Sequence, residues 1–321
     1  MMATKTATMQ AAAIDRFGPP SVLKPRTMPV PKVGPSEVLI ALHAAGVGIW
    51  DAKIRDGTWA EGDERFPLVL GTDGAGVVVA RGPRVRRLQV DDRVWAYAFG
   101  NSKGGFYAEY VAVKAEHVGK VRRRLDLLQA GAGAVTGLTA LQGIDLLRLR
   151  DGMTVLIFGG SGAVGSLAIQ MARFRGARVL ATASGAEATA FVLNLGAEAA
   201  IDARRRDAVD RLRELAPDGL DAVFAMAGDE MLDRFLELVR RGGRVASPNG
   251  VEPKPRARRN VRAFRYDAVA NPRKLAQLAS VVEEGRIRVP IAEVYPLAEA
   301  AKAHARVERG RVLGRVVLKI G

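Results

Sequence analysis

Gly160, Gly162 and Gly165 stand at the spacing G-x-G-x-x-G, between the apolar run Val155-Leu156-Ile157-Phe158 and a helical pattern that opens at Ala163. In that setting each glycine serves a separate purpose. Gly160 makes the tight turn, Gly162 lets a pyrophosphate approach the backbone, and Gly165 lets the helix pack on its strand. The first N–H groups of such a helix, together with the positive end of its dipole, face an anion. The chemistry implied is dinucleotide binding, and with it hydride transfer. The alternative is a strand–helix turn with no ligand. Strands at Ala177–Ala183, Asp221–Met226 and Gly243–Ser247 follow at βαβ spacing and favour the dinucleotide.

The end of the second of these strands bears on which dinucleotide. NAD sites place an Asp or Glu about 20 residues beyond the first glycine. Here the region reads Ala181-Thr182-Ala183-Ser184-Gly185-Ala186, with no acid before Glu187. A carboxylate would repel a 2′-phosphate, whereas Ser184 and nearby amides could donate to one, so NADPH is the expected cofactor. Arg178, and Arg204, Arg205 and Arg206 after a further predicted strand, are candidate phosphate partners or else solvated surface arginines.

The elements that must position this turn fall into two groups. Before it the chain reads as β-rich, with strands at Glu37–Val47, Gly74–Ala80, Arg93–Tyr97 and Ala108–Val113 bounded by Gly or Asp. Leu127–Leu149 turns to helical composition. From Asp151 to Pro248 strands and helices alternate, the pattern of a parallel α/β sheet. The tail reads helix at Asn271–Glu284, strand at Val289–Val294, helix at Leu297–Glu308 and strand at Gly314–Ile320. That last strand has no place in the parallel series and is expected to return to the N-terminal β region. Residues before Met9 are expected to be a frayed tail.

The 321 residues contain no cysteine and three histidines, His43, His117 and His304, with no H-x-x-x-H pair. Disulfides, cysteine nucleophiles and thiolate metal sites are excluded, and no metal site is expected. There is no signal-peptide core near Met1 and no apolar span of membrane length, so a soluble, cytoplasmic protein with no membrane partner is expected. The net charge of +15 lies in runs at Arg81–Arg87, Arg122–Arg124, Arg204–Arg206 and Lys254–Arg265. Such a field draws anions, NADPH and nucleic acid among them. The plainer reading is arginine on solvated faces, and no aromatic-interleaved RNA motif accompanies the runs.

Several segments, in order, resemble the medium-chain dehydrogenase/reductases, in their zinc-free quinone oxidoreductase (zeta-crystallin-like) branch. Met9–Pro20 resembles the opening strand and turn. Phe66–Val78 resembles the segment that carries G-H-E in zinc enzymes, here with Thr72 and Asp73 in place of His and Glu. Gly104–Val111, Gly137-Leu138-Thr139-Ala140, Gly159–Gly165, Tyr295–Ala300 and Gly314–Leu318 resemble further family motifs. The resemblance implies a GroES-like β domain (1–125 and 271–321) and a Rossmann doubly wound parallel-sheet domain (126–270). It also implies a cleft active site and a homodimer.

The reaction implied is NADPH-dependent, zinc-independent reduction of quinones or α,β-unsaturated carbonyls. The acceptor is already electron-poor, and hydrogen-bond donors can carry the charge that builds on its oxygen. Gly48–Arg55 resembles the branch's G-[VL]-N-x-x-D segment, with Gly48 for the usual Asn and Lys53 where a pocket Tyr often stands. Lys53 is either an oxyanion donor or a solvated lysine, and Trp50 and Trp59 either stack on a flat ring or serve as core aromatics. Asp51 is expected to orient the loop and Thr139 to fix the nicotinamide, and Ala203 stands where the family has a ribose-phosphate Tyr. The catalytic set is thus Lys53, Trp50, Asp51 and Thr139. The cofactor set is Thr139, Gly159, Gly160, Ser161, Gly162, Ala163, Val164, Gly165, Thr182, Ser184, Arg204, Ala227 and Arg315. The alternatives are an enoyl-thioester reductase, or a nucleic-acid-binding relative that uses Lys254–Arg265.

Overall fold

The computed structural model describes residues 7–60, 62 and 65–321. In chain order its first elements are β1 (Thr8–Ile14), β2 (Lys24–Pro29), β3 (Glu37–Val47), α1 (Ile49–Asp56), β4 (Leu68–Val69), β5 (Asp73–Arg81), β6 (Arg93–Tyr97), β7 (Tyr110–Lys114) and β8 (Val118–Lys120). There follow α2 (Leu127–Leu147), β9 (Thr154–Phe158), α3 (Ala163–Phe174), β10 (Arg178–Thr182), α4 (Ala186–Asn194), β11 (Ala199–Ile201), α5 (Ala208–Leu215) and β12 (Leu220–Ala225). The chain closes with α6 (Glu230–Leu236), β13 (Val239–Pro248), β14 (Arg262–Tyr266), α7 (Pro272–Glu284), β15 (Ile291–Pro296), α8 (Ala300–Glu308) and β16 (Arg315–Lys319).

Two compact units result, one of residues 1–135, 270–283 and 289–321, the other of 136–269 and 284–288. The first boundary lies ten residues later than the sequence suggested, inside α2, because Gly131 of that helix packs on Ala44 and Gly133 on Val289, both in the first unit. Of the expected frayed tail, Thr8 is already strand, paired with Pro29; residues 1–6 lie outside the described residues.

In the first unit a seven-stranded sheet runs β15-β16-β3-β5-β6-β8, with β7 also on β3, beside a three-stranded sheet β2-β1-β4. β3 alternates half-buried and buried residues along most of its length, the pattern of a strand with one face on a core. That face contributes Val38, Ile40 and Leu42 to a cluster with Val94, Val111, Val316 and Leu318. The last strand does return: β16 lies antiparallel to β3, Val316 opposite Val47, and parallel to β15.

In the second unit the sheet order is β11-β10-β9-β12-β13-β14, every pair parallel. β9 is buried at all five positions, as a central strand covered on both faces requires. The chain reverses its direction of growth between β9 and β12, so the carboxyl ends of those two strands form the crevice where such sheets bind ligands. β14 is an edge strand drawn from the basic run Lys254–Arg265, a stretch read from sequence as a nucleic-acid footprint; the end of that run is sheet. Among the described residues no helix is long and apolar enough to cross a membrane.

Candidate functional site

The glycine turn leaves the carboxyl end of β9. Gly159 has φ of +87°, a conformation open to glycine at no steric cost, and its N–H donates to Thr182 Oγ1 at 2.8 Å. Gly160 N–H donates to the Thr182 carbonyl at 3.1 Å, so the end of β10 fixes the turn twice over. Gly162 caps α3, and a Cβ on Gly165 would collide with the Gly159 carbonyl, so the helix can approach only because that position is bare. The N–H groups of Ala163, Val164 and Gly165 belong to the first turn and have no acceptor within the helix. A Cβ on Gly162 would meet only the Gly159 oxygen, at 3.6 Å, which leaves the backbone beside Ser161 open. An open glycine cradle at a helix N-terminus, at the switch point of a parallel sheet, fits a dinucleotide pyrophosphate. Ala227 is exposed two residues beyond β12, next to Met226, which packs on Gly159.

Beyond β10 the Ser184 hydroxyl donates to Asp202 Oδ1 at 2.8 Å and accepts from Arg204 Nε at 2.9 Å. Arg204 N–H also donates to Asp202 Oδ1, at 3.1 Å. Burial opposes ionisation of Asp202, but the Ser184 hydroxyl, the Arg204 N–H and the charges of Arg204 and Arg205 outweigh it and hold the carboxyl below its ordinary value. Sequence reasoning missed Asp202; its signal is an acid directly after a strand and two residues before Arg204. Arg205 is tied to Asp207 through both Nε and Nη2. Arg178 needs correction as a phosphate candidate: it opens β10 at the amino end of the sheet, bound to Glu198 and the Leu215 carbonyl. Thr139 is buried in α2, its carbonyl accepting from Tyr266 Oη at 2.6 Å.

The first unit holds a buried polar network around α1. Asp51 Oδ2 accepts from Gly48 N–H at 2.7 Å and so ties the start of α1, as an orienting residue would. Burial pushes its carboxyl up to about 7, with Arg315 opposing and Asp73 adding, and its Oδ1 meets no donor at hydrogen-bonding geometry among the described residues. Trp50 donates from Nε1 to Thr72 Oγ1 at 2.7 Å and lies under the Arg315 guanidinium, 4.6 Å from the ring centre. A Cβ on Gly48 would strike that indole, so Trp50 folds back because Gly48 carries none. Arg315, an expected cofactor residue, is buried in this network, with Nη2 on Asp73 Oδ1 at 2.9 Å; Asp73 also accepts from Val135 N–H. Thr72 and Asp73, which stand where zinc enzymes carry His and Glu, thus hold Trp50 and Arg315. Lys53 sets its ammonium over Trp59, 4.8 Å from the ring centre.

The network continues through residues that no motif or spacing joins. Arg55 donates to His304 Nδ1 at 3.1 Å and to Glu308 at 2.7 Å, and His304 Nε2 lies 3.2 Å from Tyr107 Oη. Arginine has no acceptor, so Nδ1 must be the bare nitrogen and Nε2 carries the proton to Tyr107. Burial, with Arg55 adding, lowers His304 to about 3, so the imidazole is neutral. Among the described residues no group of three or more His, Cys, Asp or Glu could hold a metal.

Residues 34–123 match the family model for the alcohol dehydrogenase GroES-like domain, and 195–318 that described as zinc-binding dehydrogenase. The human quinone oxidoreductase is 32% identical to the chain over 99% of each. The chain belongs to the medium-chain dehydrogenase/reductases, in the zinc-free quinone oxidoreductase branch. It is also similar to the chloroplastic NADPH-dependent alkenal/one oxidoreductase of Arabidopsis thaliana, 31% identical over 97% of this chain and 79% of that one. The quinone oxidoreductase structure from Coxiella burnetii superposes with a TM-score of 0.88 at 30% identity, covering 98% of this chain and all of the other. This medium-chain reductase is therefore an oxidoreductase that uses a nicotinamide cofactor.

Proposed function

We propose that this reductase uses NADPH to reduce quinones or α,β-unsaturated carbonyls. The observation that carries the reading is the pairing of Arg204 with Ser184 beyond β10, beside a Thr182–Ala186 turn that holds no carboxylate. The Arg204 side chain is 61% exposed, and its terminal amines are the cation offered to a 2′-phosphate. When bound, the cofactor supplies a hydride from nicotinamide C4. The cradle of Gly159–Gly165 is proposed to hold the pyrophosphate, with Thr182 fixing the turn and Ala227 lying beside the adjacent strand end. In the first unit Trp50 offers an oriented indole to a flat conjugated acceptor, and Lys53 a cation to the oxygen that gains charge. The names of the relatives, quinone and alkenal/one oxidoreductases, support these acceptor classes.

Titration of the purified protein with NADPH and with NADH, followed by nicotinamide fluorescence, tests the cofactor. Tighter binding of NADPH is expected, and Arg204→Ala should weaken it by about 10- to 100-fold, the loss of a hydrogen bond to a charged group, while NADH moves less than about threefold. Equal affinities in the wild type would refute the NADPH reading. A screen of quinones, alkenals and enoyl thioesters with the preferred nucleotide then separates the acceptor classes.

A further inference from the structure

We propose that Asp202, an acid beside the expected 2′-phosphate, favours NADPH by bracing Arg204, and that Ser184 belongs to the brace and does not bind the phosphate itself. The inference rests on the NADPH reading above; the acid that selects NADH stands about 20 residues beyond the first glycine, at the end of β10, whereas Asp202 follows β11.

Counting hydrogens assigns the roles. Asp202 is held ionised and is acceptor-only. A serine hydroxyl has one hydrogen, and Ser184 gives it to Asp202 Oδ1. Its oxygen, polarised by that bond, accepts Arg204 Nε. Asp202 Oδ1 takes the Arg204 backbone N–H as well, so one carboxylate oxygen holds both ends of the arginine, the main chain directly and the side chain through Ser184. Arg204 Nε is 3.8 Å from that oxygen, beyond hydrogen-bond reach, so the carboxylate steers the guanidinium without capping it. Nε is consumed inside the brace and both Nη groups are left to turn outward. Fixing a long cation before its ligand arrives removes the ordering cost from binding. Ser184, with its hydrogen spent, has none to offer a phosphate. Asp202 is therefore a positioning residue, and Arg204 is the group that touches.

The test is a set of dissociation constants for NADPH and NADH, by nicotinamide fluorescence, on wild type, D202N, S184A and R204A and on D202N and S184A in the R204A background. Arg204 is exposed and Ser184 and Asp202 are half-buried, and matching thermal melts verify that each variant is folded. On the proposal D202N and S184A each weaken NADPH about three- to tenfold with NADH within twofold, D202E restores part of the loss, and neither change has a further effect once Arg204 is gone. Tightening of NADPH by D202N, in either background, would show that Asp202 repels the phosphate and overturn the proposal. A loss from S184A that persists in R204A would make Ser184 a direct donor and overturn it equally. A wild type that binds NADPH no better than NADH removes the NADPH reading and this one together, and so is told apart from an NADPH-selective wild type whose D202N binds NADPH more tightly.

Discussion

Asp51 and His304 both contact Tyr107, and they drive the pH dependence of stability in opposite directions. His304 falls from 6.5 to about 3 on folding, so between those values the unfolded chain takes up a proton that the folded one refuses. Its contribution is complete above pH 6.5 and lost as the pH drops toward 3. Asp51 rises from 3.8 to about 7, so its contribution is complete below 3.8 and lost as the pH climbs through 7. Between about pH 4 and 6.5 the two slopes offset each other. Asp51→Asn, uncharged at every pH, should therefore lose stability more steeply than wild type on acidification from 6.5 to 4, and less steeply from pH 6 to 8. His304→Gln should do the reverse in the acid range. Urea midpoints across pH 4–8 read both, and parallel profiles would contradict the assignment. Little of this is legible in the chain alone. Arg55 and His304 are 249 residues apart and Asp73 and Arg315 242, and a buried pair of that separation leaves no local pattern. Asp51 is readable as a loop-orienting acid because its partner, Gly48, is a near neighbour.

At the scale of the element, the β9–α3 unit separates two kinds of glycine. Gly165 is spent on packing: Ala there would drive a methyl into the Gly159 carbonyl. Gly165→Ala is expected to cost about 1–3 kcal/mol, the usual range for overpacking, and to impair nucleotide binding by pushing α3 off its strand. Gly162 is spent on access, with φ of −76° and open space ahead of its Cα. Gly162→Ala should leave stability within about 0.5 kcal/mol, while weakening NADPH and NADH alike, because both carry the pyrophosphate. Urea denaturation beside fluorescence titration checks the pair; equal stability losses would erase the distinction. Elements with strong periodicity are plain in the sequence: β3 and β6 lie where alternation or an apolar run places them. β14 is not, because Arg262-Ala263-Phe264-Arg265-Tyr266 is an edge strand, and edge strands carry charges that guard against stray pairing. Those same charges also keep the stretch a candidate binding patch.

At the scale of the molecule, β16 sits inside its sheet between β15 and β3 and brings Arg315 with it. Truncation before Gly314 would sever both ladders, uncover the flank of β3 from Ala44 to Val47 and leave Asp73 buried without its cation, a loss of roughly 3–5 kcal/mol from the ion pair alone. The truncated chain is expected to accumulate in the insoluble fraction, and a soluble product with the wild-type melting profile would argue otherwise. The return of this strand is legible by elimination, since a strand after the parallel series has nowhere else to pair. Its position also sets an order of events during synthesis. The second unit is nearly contiguous and has all six of its strands once Tyr266 has left the ribosome. The first unit begins emerging earlier yet must wait for β16. At ordinary elongation rates the roughly fifty residues after Val269 take on the order of 3–10 s. Through that interval the half made first keeps an open strand edge, and it is there, rather than at the nucleotide-binding sheet, that the nascent chain is most in need of a chaperone.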